Sequence, residues 1–224
     1  MEPDEKIQAA ISNTFVLRFP RQQLATFGIT NIYYYMITEL LPEVNVIREG
    51  RVIADRPKIV TPAYLMQIEG FSGPARRYIQ MAADQNPHEP GILYSYKNEY
   101  GAMSVVSEPL GSIVDNINRR IDSQSDPLST IIKGVEELWD VSLMKFTFDL
   151  TRNSVQRNFS ELYDQGRFNI DQGGVPDDAR DRIEELMDLT GRDPSRAAEL
   201  VSELHRWNLW DSYQDRFLKL FRKL

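Results

Sequence analysis

Residues 127–165, PLSTIIKGVEELWDVSLMKFTFDLTRNSVQRNFSELYDQ, carry the pattern on which the reading of the fold turns. Leu128, Ile131, Val135, Leu138, Trp139 and Ser142 recur at helical spacing. From Val141 onward Leu143, Met144, Phe146, Phe148 and Leu150 place apolar groups on almost every side of such a helix. A helix that is apolar all round is buried among other elements. The stretch therefore reads as one long central helix, about 127–165, opened by Asp126-Pro127, with Trp139 and Phe146 almost fully buried. Proline at the first helical position loses no hydrogen bond, and the aspartate before it supplies an acceptor for the free N–H groups.

Charge inside this helix is the first candidate for chemistry. Lys145 and Asp149 are four residues apart and Arg152 is three further on, so all three lie along one flank. In apolar surroundings such charges must be paired. Lys145 is expected to be mostly buried and in contact with Asp149 or another carboxylate, as a structural ion pair or as a desolvated lysine suited to base or Schiff-base work. Glu136, Glu137 and Asp140 are a carboxylate cluster, but no histidine stands at the spacing that bundle metal sites use, so no metal is assigned.

Beyond this helix toward the C-terminus the pattern stays helical. Asp193-Pro194 follows Gly191, and Pro176-Asp177-Asp178 places carboxylates at a helix start. Asp171-Gln172-Gly173-Gly174 reads as a flexible joint, and Trp207 to Phe221 as an aromatic amphipath serving core or interface. Glu108-Pro109 opens the helical half, with no strand signal after it.

Toward the N-terminus the apolar runs become short, β-branched and aromatic. Residues 14–19 form one strand, stopped by Pro20; residues 29–38, nearly all apolar, read as a central strand covered on both faces. Glu49-Gly50 and residues 98–101 read as hairpin turns. Thr61-Pro62 and the region near Pro74 open two helices. The fold class is thus α+β: an N-terminal antiparallel sheet with two helices, residues 1–107, packed on an all-helical part, residues 108–224.

Cysteine is absent and histidine occurs only as His88 and His205, which removes disulfides, thiol nucleophiles and cysteine-ligated metals. No phosphate-cradling glycine loop, dinucleotide fingerprint or serine-nucleophile elbow occurs, and no cofactor is assigned. Against 26 Lys+Arg stand 33 Asp+Glu, a net charge of −7, which argues against a nucleic-acid partner. The first 100 residues are nearly neutral and the rest carry the excess. An anion site is accordingly sought among Arg18, Arg21, Arg76, Arg77 and Lys97, two of which follow the helix start Gly70-Phe71-Ser72-Gly73. Tyr33, Tyr34, Tyr35, Tyr94 and Tyr96 with these cations could stack bases on a sheet, a weak RNA-binding alternative. An acidic beginning and the lack of a long uncharged apolar run give the expectation of a cytoplasmic chain with no membrane segment. The leading functional expectation is a non-catalytic binding or regulatory protein acting through protein–protein contacts, as a homo-oligomer. Its alternative is a protein or enzyme binding a phosphorylated metabolite or nucleotide in an Arg/Lys pocket. A cleft with convergent polar groups would favour the alternative; a flat exposed apolar patch would favour the leading reading.

Overall fold

A computed structural model describes residues 3–66, 77, 80–81, 84–85, 89–124 and 126–221. In chain order the elements are α1 (Pro3–Ser12), β1 (Phe15–Arg18), β2 (Thr30–Leu41), β3 (Val44–Ala54), β4 (Lys58–Val60), α2 (Pro62–Met66), β5 (Gly91–Leu93), β6 (Tyr96–Val106), α3 (Leu110–Gln124), β7 (Ser129–Gly134), α4 (Trp139–Asp164), α5 (Asp177–Arg192), α6 (Ala197–Arg206) and α7 (Trp210–Phe221). The helix read from Pro74, the Gly70–Gly73 start, Arg76 and His88 lie outside the described residues.

The chain divides into two compact units, Met1–Arg56 with Tyr94–Phe159 and Pro57–Leu93 with Ser160–Leu224. The line at 107/108 is not where the chain divides. Each unit is assembled from two separate stretches, because β6, α3, β7 and most of α4 complete the sheet begun by β1–β3.

The first unit holds a five-stranded sheet in the order β1-β7-β2-β3-β6. The α+β class holds, but the sheet is mixed rather than antiparallel: β7 runs parallel to β2 and antiparallel to β1. Residues 129–134 are therefore a strand, not the first turns of the central helix. Ile131 and Ile132 explain why, since neighbours on a strand point to opposite faces. Ile131 packs with Tyr35, Ile37 and the α3 stripe Ile113, Ile117 and Ile121; Ile132 packs with Met36, Leu143 and Phe146 on the α4 side. A sheet covered on both faces has near-continuous apolar strands, which is how β2 reads and what it is. Asp126 does not cap a helix. Its carboxylate accepts from the Leu128 N–H at 2.8 Å and the Ser129 hydroxyl at 2.9 Å, turning the chain into β7.

Neither glycine hairpin exists. β3 and β6 each run as one strand through Gly50 and Gly101, with a shift in their mutual register between Arg48 and Gly50, and the turn between β2 and β3 falls at Pro42-Glu43, with Glu43 left-handed at φ 62°. Gly50 answers to close packing. A Cβ there would stand 2.4 Å from the Tyr34 hydroxyl and 2.7 Å from the Glu99 carbonyl oxygen.

α4 is not apolar all round. Leu143, Phe146 and Leu150 face the sheet, whereas Met144 and Phe148 are 68% and 65% exposed on the opposite side. Phe146 is buried as expected; Trp139 is only half-buried, packed edge-on against Tyr100 at 5.7 Å.

In the second unit β4 pairs with β5, and α5, α6 and α7 share a core of Ile183, Leu186, Met187, Leu200, Leu204, Trp207, Leu209 and Tyr213 with Tyr64 of α2. The aromatic tail thus serves the core. Buried Glu203 accepts from the Trp207 indole at 3.3 Å and from the Tyr64 hydroxyl, with Arg206 at 3.6 Å. Residues 171–174 form a held turn and not a loose joint: the Asp171 carboxylate accepts from the Gly173 and Val175 N–H groups at 2.8 and 3.0 Å and pairs with Arg180. Among the described residues no helix is long and apolar enough to cross a membrane.

Candidate functional site

Of the five cations sought as an anion site, Arg76 lies outside the described residues, Arg18 and Arg21 meet on one carboxylate, and Lys97 stands apart from them. Arg18 reaches Asp122 at 2.7 Å and Asn118 at 2.8 Å, and Arg21 reaches the same Asp122 oxygen at 3.4 Å. These two tie β1 and the segment after it to α3, and the Arg18 guanidinium holds the Asp122 carboxyl below its ordinary value. Lys97 sits on β6, at the opposite edge of the sheet. There it contacts Glu99 at 2.7 Å, which Arg51 of β3 also meets at 2.6 Å. Arg77 is exposed.

Two cations missed in the sequence complete this second cluster. Arg51 lies opposite Glu99 in the β3–β6 register, and Arg120 of α3 reaches Glu49 at 2.7 Å while lying 4.6 Å over the Tyr35 ring. The alternation of β3 and β6 was the available signal, but the two false hairpins hid it. Each cation here is matched to a carboxylate above a shallow cleft of about 360 Å³. The tyrosines form no common platform: Tyr34 and Tyr35 are buried, Tyr94 donates to Asn158 at 2.9 Å, and burial pushes its hydroxyl up to about 12.

A larger cleft of about 440 Å³ lies in the first unit between α4 and the segment that follows β1. Phe15, Val16, Phe19, Phe146 and Leu150 give it apolar walls, and Arg21, Gln22, Gln23, Lys145, Asp149 and Asn153 give it polar groups. Lys145 meets Asp149 at 2.9 Å and Arg152 meets Asp149 at 3.3 Å, so the expected ion pair is present. It is less buried than expected, the Lys145 and Asp149 side chains being 30% and 32% exposed. Local side-chain bonds pin the far wall to α4. Gln23 donates to the Asn153 carbonyl at 3.0 Å, the Leu24 N–H donates to Ser154 at 3.1 Å, and Asn158 donates to the Leu24 carbonyl at 3.0 Å.

The other exposed feature is the β6 edge. Tyr100, Met103 and Val105 are 72%, 67% and 57% exposed, and β6 has β3 as its one strand neighbour among the described residues. Beside it, Arg48 of β3 grips Glu136 through two bonds, 2.5 and 2.9 Å, and donates to Thr38 at 3.0 Å, which itself donates to Glu136. The guanidinium also lies 5.2 Å over the Trp139 ring. This staple joins β2, β3 and the entry to α4.

The Arg48 hydrogen bonds hold the Glu136 carboxyl below its ordinary 4.5, against burial, which pushes it up. A depressed carboxyl adds stability above the unfolded-state value, and that contribution is lost as pH falls through the folded-state value. Arg48→Met is therefore expected to cost about 1–2 kcal/mol at neutral pH, since both groups keep some exposure. Below about pH 4.5 the gap between variant and parent should narrow, as read by urea unfolding at a series of pH values. A gap independent of pH would remove the ion pair from the account.

Among the described residues no three His, Asp or Glu side chains gather as metal ligands. Comparison of the chain with family models, with characterised proteins and with solved structures found no match.

Proposed function

We propose that the chain is a non-catalytic cytoplasmic interaction protein that self-associates through the β6 edge, two copies pairing their sheets into one. The observation that carries this reading is the edge itself. β6 is eleven residues long, and its outer half exposes Tyr100, Met103 and Val105. Edge strands offer unpaired N–H and C=O groups to any passing strand, and proteins usually blunt them with lysine, proline or a short length. Residues 100–106, YGAMSVV, contain no charge and no proline. A second copy suits such an edge for two reasons. A two-fold axis beside an edge strand pairs it with itself in antiparallel fashion, the same patch serving both partners. Because the run is uncharged, no pairing within it opposes like charges. The absence of cysteine is compatible with a reducing compartment.

The test is size-exclusion chromatography with light scattering over a concentration series, comparing the parent with Val105→Lys. Val105 is exposed, so lysine there should leave the fold intact while placing an unpaired charge on the edge. The expected result is twice the chain mass for the parent and a shift to monomer of about tenfold or more in concentration for the variant. A parent that stays monomeric, or a variant that associates equally well, would refute the assignment.

A further inference from the structure

We infer that the cleft between the post-β1 segment and α4 binds a small organic acid, its carboxylate held by Lys145 and Arg21 and its apolar body against Phe15, Val16, Phe146 and Leu150. This site is separate from the β6 edge and does not rest on self-association.

α4 departs from the ordinary amphipathic pattern at two pairs of residues. A surface helix ordinarily turns its charges to water and its apolar residues inward. Here Met144 and Phe148 face outward, while Lys145 and Asp149 line a concavity. Lys145 and Asp149 meet the pairing that a partly desolvated cleft demands through each other, and departures from local pattern concentrate at functional sites. The volume, about 440 Å³, lies within the range of small-molecule pockets.

Charge sets the ligand class. The lining carries the cations Lys145 and Arg21 and the carboxylate of Asp149. Arg21 reaches Asp122 with one nitrogen at 3.4 Å and Arg152 reaches Asp149 at 3.3 Å, and with both partners counted an excess of one positive charge remains, which suits a monoanion. Lys145 has three N–H donors and Asp149 engages its ammonium at 2.9 Å, which leaves donor capacity for a ligand. Gln22 and Asn153 add amide groups at the rim. The bonds from Gln23, Leu24 and Asn158 hold the two walls in place before any ligand arrives, which reduces the ordering cost of binding.

The probe is phenylacetate, with phenylacetamide as its neutral twin, followed by amide chemical shifts of the labelled full chain. Phenylacetate is expected to shift amides of residues 15–23 and 145–153 saturably below about 20 mM, and phenylacetamide to bind about tenfold more weakly. Lys145→Met should weaken phenylacetate about tenfold with an unchanged amide spectrum elsewhere, and Lys145→Arg should retain it. No saturable shift, shifts centred on other residues, equal binding of the neutral twin, or unaltered binding by Lys145→Met would each overturn the assignment.

Discussion

Phe146→Ala is expected to lower the stability of the first unit by about 3 kcal/mol, whereas Phe148→Ala, two residues along the same helix, should cost less than about 0.5 kcal/mol. The difference is one of direction. Phe146 is 3% exposed and packs among Leu24, Ile32, Tyr34, Met36, Ile132, Leu143 and Leu150; Phe148 points the other way. Truncating a buried phenylalanine loses its transfer free energy and leaves a cavity, together about 3–5 kcal/mol. The lower end applies here because Phe146 also lines the cleft, into which the cavity can open. Hydrogen exchange at the β2 and β7 amides reads the first unit's own opening free energy, which a single unfolding curve of a two-unit chain would blur. Equal costs for the two alanines would mean that α4 lies on the sheet by another face.

Gly50→Ala is the second large effect, with an expected loss of about 2–3 kcal/mol. An exposed strand glycine replaced by alanine ordinarily gains stability, because the chain gives up less freedom on folding. At this position the new methyl would meet the Tyr34 hydroxyl at 2.4 Å, the ring carbon bearing it at 2.6 Å and the Glu99 carbonyl oxygen at 2.7 Å. Tyr34 is buried and donates to Asn98 at 3.1 Å, so its ring has no free direction in which to swing. Adding Tyr34→Phe should recover only part of the loss, since it removes the hydroxyl but neither the ring carbon nor the backbone oxygen. Full recovery in the double variant would show the hydroxyl, and neither the ring carbon nor the β3–β6 backbone approach, to be the obstacle. A neutral or stabilising Gly50→Ala would contradict the register between β2, β3 and β6.

That glycine also explains why part of the fold was hidden in the sequence. Glycine between two β-branched runs is the ordinary mark of a hairpin, yet Gly50 and Gly101 mark places where neighbouring backbones and side chains come too close for a Cβ. The same two errors hid Arg51 and Glu99 as a cross-strand pair. β7 was hidden differently. Leu128, Ile131, Val135 and Leu138 happen to fit helical spacing, while the β-branched run Thr130-Ile131-Ile132 and the terminal Gly134 were the contrary signals. A short apolar run cannot be assigned by periodicity alone. What was legible rested on local chemistry: β2 as a central strand, and the proline-marked starts at Pro62, Pro109, Pro176 and Pro194, all of which open helical segments or immediately precede them. The candidate site divides along the same line. The Lys145–Asp149 pair is a matter of four residues on one helix and could be read directly. Its surroundings, residues 15–23, lie more than a hundred positions away, and long-range contacts such as the β1–β7 pairing and the Gln23 and Leu24 bonds to α4 bring them there.

The claim that β6 is the association surface is tested most directly by amide hydrogen exchange along residues 96–106 at high and low protein concentration. In an antiparallel strand alternate N–H groups point to each neighbour, so the β6 amides turned away from β3 have no strand partner among the described residues of a single copy. The expected result is slow exchange of those outward amides at high concentration and fast exchange on dilution, with the amides bonded to β3 slow in both. Outward β6 amides that exchange fast at every concentration at which the chain is associated would place the interface elsewhere and contradict the account.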